Sequence, residues 1–259
     1  MGRSVGGPED WATPRLDALI VKLDAIESEL VEAGDRCRIF HRTYNRTTHA
    51  VREEIARGGF VDNHWVESWD VAFADLYLEA LDAWRRNGAT PRPWQVAFEA
   101  SRERLPPLRH VLLGMNAHIN YDLPQALVAV IPEAGFSDDK ILALRHSDHR
   151  HVDSILAGRV AAEDGLLRTE ELPGDRTWID TVLRPLNRLG TKRFLREARR
   201  KTWRNTRVLA AARRRGSVEY QRALSELELL SAQKVSQLLE PGHVLLKLAR
   251  QGFGVVLTP

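Results

Sequence analysis

Asp70, Asp122 and Asp148 stand at positions that should face the interior of three predicted helices. An apolar stripe repeats every three to four residues around Asp70, which occupies the position where the next hydrophobic residue is expected. Asp148 lies at the centre of a second such stripe, and Asp122 follows His118 by four residues in an apolar segment. An ionised carboxylate buried alone is very costly, so each acid needs a hydrogen bond, a proton or a cation.

Carboxylates and neutral imidazoles are suitable ligands for zinc, iron or manganese, and residues four apart project from one face of a helix. We therefore predict a site for one of these divalent metals, built from Asp70, His118, Asp122 and Asp148. The metal would lower the pKa of a bound water, as in the hydrolysis of a phosphate or other ester. His118, Asp122 and Asp148 would then be catalytic, with His149 as a candidate general base.

Three further residues are predicted to contact a small-molecule substrate, namely Asn116, Asn120 and Tyr77. Two roles without a metal remain open for these polar side chains. The Asp, His and Asn residues can act through hydrogen bonds alone, in a metal-free catalyst or a small-molecule binding module. They can also form a buried polar network that fixes the packing of a non-enzymatic scaffold.

Helical periodicity dominates the chain that must position these residues, and the alternation typical of strands is almost absent. We predict an all-α, single-domain bundle of about eight to ten helices. The domain spans residues 1–259, with a disordered N-terminus at residues 1–12. Pro124 disfavours helical geometry at the preceding residue, so a kink or a helix break is expected directly after Asp122.

Charge is distributed unevenly along the sequence. Residues 184–215 carry 13 Lys and Arg against one acidic residue, whereas residues 1–183 carry 21 against 30. We predict that this basic helical segment either pairs with the acidic part or attracts a small anionic substrate. Nucleic acid is not expected as a partner, because no exposed aromatic residues interleave with these cations.

Two absences in the sequence limit the class of protein. No stretch of about 18 uncharged apolar residues occurs, and the N-terminus lacks the apolar core of a signal peptide, so we expect a cytoplasmic protein without a transmembrane segment. Cys37 is the only cysteine, which excludes an internal disulfide and a cysteine-based metal cage.

The segment LLGMNAHINYDLPQAL at 112–127 resembles an uncharacterised bacterial family recognised by a block of the form LGxNAHIxxDLP, here Leu113 to Pro124. WDVAFADLYLEAL before it and RHSDHRHVDSIL after it extend the resemblance over most of the chain. The resemblance implies no reaction. It implies signature positions at Asn116, His118 and Asp122, flanked by Asp70 and Asp148, and an amide in place of Asp153.

Overall fold

A computed structural model describes residues 11–167, 184–242 and 244–258. These residues form helices and no strand, which confirms the predicted all-α, single-domain bundle. Most of the N-terminal segment predicted to be disordered lies outside the described residues. None of the described helices is long and apolar enough to cross a membrane.

The helices differ in length from two turns to about nine. In chain order they are α1 Pro14–Glu32, α2 Cys37–Ala56, α3 Asn63–Arg85, α4 Arg92–Ala100, α5 Pro107–Ala117, α6 Leu123–Val130, α7 Asp139–Leu167, α8 Arg184–Arg215, α9 Ser217–Leu239 and α10 Val244–Gln251. A π-helical turn, His118–Asp122, joins α5 to α6, and a 3-10 turn, Glu133–Ser137, precedes α7.

The path from α5 through the π-helical turn to α6 runs through the middle of the bundle. It packs against α2, α3, α8 and α9, and its leucines at 112, 113, 123 and 127 are almost completely buried. Full burial of one such side chain contributes roughly 1.5–3 kcal/mol. The polar residues of the same path are therefore held in place by a well-packed apolar surround.

The helix irregularity predicted from Pro124 is a π-helical turn, and the helical path continues through it without a break. Proline has no N–H to donate, so the usual bond to the carbonyl of Asn120 cannot form. The N–H of Leu123 instead reaches back five residues to the carbonyl of His118. The carbonyl of Ile119 accepts a hydrogen bond from Thr202 Oγ1 on α8 at 2.9 Å. The turn is thereby fastened to α8.

Candidate binding site

A cavity of about 60 Å³ lies between α2, α3, the π-helical turn, α7 and α8. Its wall is mainly aromatic and aliphatic, and includes Phe40, Trp69, Phe73 and Val152. The polar side chains of the wall are Tyr44, Asp70, His118, Arg199 and three threonines of α2. Since a water occupies roughly 30 Å³ in the liquid, the cavity has room for about two waters or a compact ligand group.

His118 is buried, lines this cavity and has contacts on several sides. Its Nδ1 lies 2.8 Å from Asp122 Oδ2, which also accepts a hydrogen bond from Trp94 Nε1 at 2.8 Å. The imidazole stacks on Phe73 with ring centroids 3.5 Å apart, and meets the Tyr44 ring edge to face at 4.8 Å. Sequence reasoning brought His118 and Asp122 together correctly, but Trp94 gave no signal.

The protonation of this pair follows from its burial. Burial lowers the pKa of His118 well below its usual value and raises the pKa of Asp122 well above its own. His118 is therefore neutral. We assign its proton to Nδ1, because this nitrogen faces a carboxyl oxygen, the usual acceptor for the N–H of a neutral imidazole. His118 Nε2 then keeps its lone pair, and this buried atom has no partner within the described residues.

Asp70 lies on α3 and lines the same cavity. Its Oδ2 is buried and has no partner within the described residues. Burial raises the pKa of Asp70 to about 7, and the nearby Arg199 guanidinium opposes this rise. Arg199 is itself buried, with Nε on Asp153 and Nη2 on the carbonyl of His149.

Tyr44 contributes a third unpartnered atom, its hydroxyl oxygen. The Thr48 side chain lies close enough to lower the pKa of Tyr44, but the two groups do not have the geometry of a hydrogen bond. Burial, supported by the Asp70 carboxyl, raises the pKa of Tyr44 well above its usual value, so the phenol is neutral. Tyr44, Asp70 and His118 thus present one unpartnered buried atom each that can accept a hydrogen bond, all on residues that line one cavity. Trp69, on the same wall, adds a fourth atom without a partner in the described part of the chain, its Nε1, which is a donor.

Asp148 lies outside the cavity wall and stabilises the start of α3. Its Oδ1 accepts the backbone N–H of Val61 at 2.7 Å, and its Oδ2 accepts that of Asp62 at 3.0 Å. Asp62 in turn accepts the N–H of Trp65 as the N-cap of α3. Two backbone donors therefore account for the burial of Asp148.

His149 and Tyr77, predicted as general base and substrate contact, also lie outside the cavity wall. His149 is buried against the rings of Trp69 and Trp203, and its pKa is lowered by burial and by Arg199. The Tyr77 hydroxyl is 2.9 Å from Nδ1 of His41, within a buried hydrogen bond. Tyr77 contacts His118 through the edge of its ring.

Asn116 and Asn120 hold the C-terminal segment, residues 252–258, against the bundle. Both side-chain amides donate to the carbonyl of Phe253, at 2.9 and 3.0 Å. Asn120 Oδ1 also accepts the N–H of Val255 at 3.2 Å. The structure therefore places both predicted substrate contacts on this segment and not on the cavity.

The four predicted metal ligands are dispersed. Asp70 and His118 line the cavity, Asp122 lies behind the imidazole, and Asp148 is engaged by the backbone before α3. Across the described ranges, no three His, Cys, Asp or Glu side chains are grouped so that they could hold a metal ion. Metal binding by this chain stays a prediction.

Arg199 is the cavity residue whose place was hardest to predict from the sequence. It lies in the basic segment, 184–215, as one of 13 Lys and Arg residues. The signal was its helical phase, because Leu195 and Thr202 on the same face are both buried. Asp153, whose role the resemblance left open, is the carboxylate partner of Arg199.

Comparison with known proteins identifies a family but no activity. No curated protein and no solved structure matches the chain. The match that was found is "Family of unknown function (DUF5995)", over residues 16–241. It includes the whole cavity wall and ends before the C-terminal segment. It agrees with the uncharacterised family expected from the sequence, whereas the defining block stays a prediction. The chain belongs to the DUF5995 family of unknown function.

Proposed function

We propose that this protein binds a small molecule in the cavity and that Tyr44, Asp70 and His118 hydrogen-bond the polar group of that molecule. The observation that supports the proposal most is that these three acceptors have no partner among the described residues and lie on residues of one cavity wall, together with the unpartnered Nε1 donor of Trp69. Each buried polar atom without a partner costs roughly 1–3 kcal/mol. The free energy of unfolding of a protein is only about 5–15 kcal/mol, so three such atoms in one place are a large cost in stability. A ligand that bonds all three would recover this free energy.

The composition of the wall also fits a ligand site. Binding sites are usually lined by apolar and aromatic side chains with a few convergent polar groups. Here most of the lining side chains are apolar, and a few polar groups come from α2, α3, the π-helical turn and α8. The small volume favours a compact molecule over an extended cofactor.

Catalysis on the bound molecule is a second candidate, favoured by the pKa of Asp70, which is raised to about 7 by burial. A carboxyl with such a pKa can give or take a proton near neutral pH. Ester hydrolysis, with or without a metal, is the narrower form of this candidate. A metal would have to use Asp70 and His118, since the other two predicted ligands are engaged elsewhere.

A fragment screen tests the binding proposal. Ligand-observed NMR would be run on the full chain with neutral, anionic and cationic fragments small enough for the cavity. Hits would then be measured against Tyr44→Phe and Asp70→Asn, with Tyr77→Phe and Asp148→Asn as controls. The controls make the same chemical changes at buried residues outside the cavity wall.

We expect at least one fragment whose affinity falls in both cavity variants and is retained in both controls. The proposal is overturned if no fragment binds, or if every hit keeps its affinity in the two cavity variants. Metal analysis of the purified protein, together with thermal shifts on adding zinc, iron or manganese, tests the metal-assisted form. That form requires a metal to bind wild type and to be lost in Asp70→Asn and His118→Ala.

A further inference from the structure

The hydrogen-bonding character of the cavity points to one class of ligand. We propose that the ligand is a small primary amine, bound as its ammonium ion, with its alkyl part on the apolar wall. This inference rests on the binding function proposed above and specifies its ligand.

Three of the four unpartnered atoms on the described cavity wall can accept a hydrogen bond, and the fourth, Trp69 Nε1, is a donor. Asp70 Oδ2 is a carboxylate oxygen, His118 Nε2 keeps its lone pair when Nδ1 faces Asp122, and the Tyr44 oxygen has free lone pairs. A primary ammonium group has three N–H donors and no acceptor. It therefore matches the three acceptors. A carboxylate has no N–H or O–H to donate, so it would leave Asp70 Oδ2 and His118 Nε2 without a partner.

Charge favours the same class. Among the described residues of the cavity wall, Asp70 is the one carboxylate. Arg199 brings a positive charge, but its guanidinium is already paired with Asp153 and bonded to the carbonyl of His149. A cation in the cavity would pair with Asp70, and an anion would be repelled by it. The anionic substrate expected from the basic segment is therefore disfavoured at this site.

The remaining wall suits the hydrocarbon part of such an amine. Rings of Phe40, Trp69 and Phe73 line the cavity, together with aliphatic side chains such as Val152 and Ile119. Aromatic faces attract a cation as well as apolar groups. The 60 Å³ interior suits the ammonium group and the first carbons of such an amine, and the cavity is partly open, so that a short alkyl chain such as that of n-pentylamine can extend along the wall.

Calorimetric titration with four matched probes tests the inference. The probes are n-pentylamine, n-pentanol, pentanoate and trimethylpentylammonium, added to the full chain at about pH 8, where an aliphatic amine is protonated. We expect n-pentylamine to bind at least about tenfold more tightly than the alcohol, the loss that one charge-assisted hydrogen bond corresponds to. Pentanoate should not bind. The quaternary probe should not bind either, since it has the charge without the N–H donors.

Variants separate this inference from the function on which it rests. Asp70→Asn should weaken n-pentylamine binding by about tenfold or more, and Asp148→Asn, a buried acid outside the cavity wall, should leave it unchanged. Equal or tighter binding of the alcohol or pentanoate, still dependent on Tyr44, would overturn the amine class and retain the binding function. If neither these probes nor any fragment binds in the cavity, both proposals fail.

Discussion

Replacing Tyr44 or Tyr77 by phenylalanine should have opposite consequences for stability, although each change removes one buried hydroxyl. The Tyr44 oxygen has no hydrogen-bond partner within the described residues, whereas the Tyr77 oxygen is bonded to Nδ1 of His41 at 2.9 Å. Both rings are buried and would stay in place, because both pack against Phe40 and His118. The comparison therefore isolates the two hydroxyl groups.

The expected magnitudes follow from what each hydroxyl leaves behind. Tyr44→Phe removes a polar group that is buried without a bond, so the free energy of unfolding should stay the same or rise by up to about 1 kcal/mol. Tyr77→Phe leaves the buried His41 nitrogen without its partner, and His41 Nε2 is already committed to the carbonyl of Leu23 at 2.9 Å. Stability should fall by about 1–3 kcal/mol.

Urea unfolding of the ligand-free protein, followed by circular dichroism, measures both changes. The two variants should fall on opposite sides of wild type, or Tyr44→Phe should coincide with wild type. A loss of more than about 1 kcal/mol in Tyr44→Phe would refute the reasoning, because it would show that the hydroxyl is bonded in the folded protein. Stability of Tyr77→Phe equal to wild type would refute the role given to the His41 bond.

Three further predictions concern groups with separate roles. Asp148→Asn should lower the free energy of unfolding by about 1–3 kcal/mol, because an amide has one acceptor oxygen for two backbone donors; Asp138→Asn, at the exposed start of α7, should cost less than about 1 kcal/mol. Asn120→Ala should speed amide exchange at Val255, measured by NMR, and unchanged exchange there would contradict the contact. The pKa of Asp70 is raised to about 7 by burial and is near 3.9 in an unfolded chain. Between about pH 4 and 7 the folded protein therefore holds a proton that the unfolded chain has lost, and stability falls as the pH rises. Asp70→Asn should become progressively more stable than wild type over that range in urea unfolding, and a constant difference would be contrary to this.

Helical periodicity predicted the buried acids well, because it depends only on residues close in sequence. The positions of Asp122 and Asp148 inside the bundle follow directly from the apolar stripes around them. The hydrogen-bond partners of these acids could not be predicted in the same way. Asp148 bonds the backbone N–H groups of Val61 and Asp62, and no side-chain pattern reveals which backbone donors a distant loop leaves free. Buried acids whose backbone partners cannot be read from the sequence suggest a cation, which is why a metal site was predicted.

Tertiary packing also explains the cavity residues that the sequence did not reveal. Trp94 is fully buried and reads as an ordinary core residue, yet its N–H completes the His118 and Asp122 arrangement. In the sequence Arg199 is one of many cations of α8, and only the packing of α8 against the bundle shows that it is buried. Asn116 and Asn120 were predicted to contact a substrate, but their side-chain amides donate to the backbone of the C-terminal segment.

A crystal structure of the protein with the tightest-binding fragment tests the central claim most directly. We predict that the fragment occupies the cavity with its polar group within hydrogen-bond distance of Tyr44 Oη, Asp70 Oδ2 and His118 Nε2. A fragment bound elsewhere would contradict the proposed binding function. So would a cavity in which these three atoms have found partners within the protein.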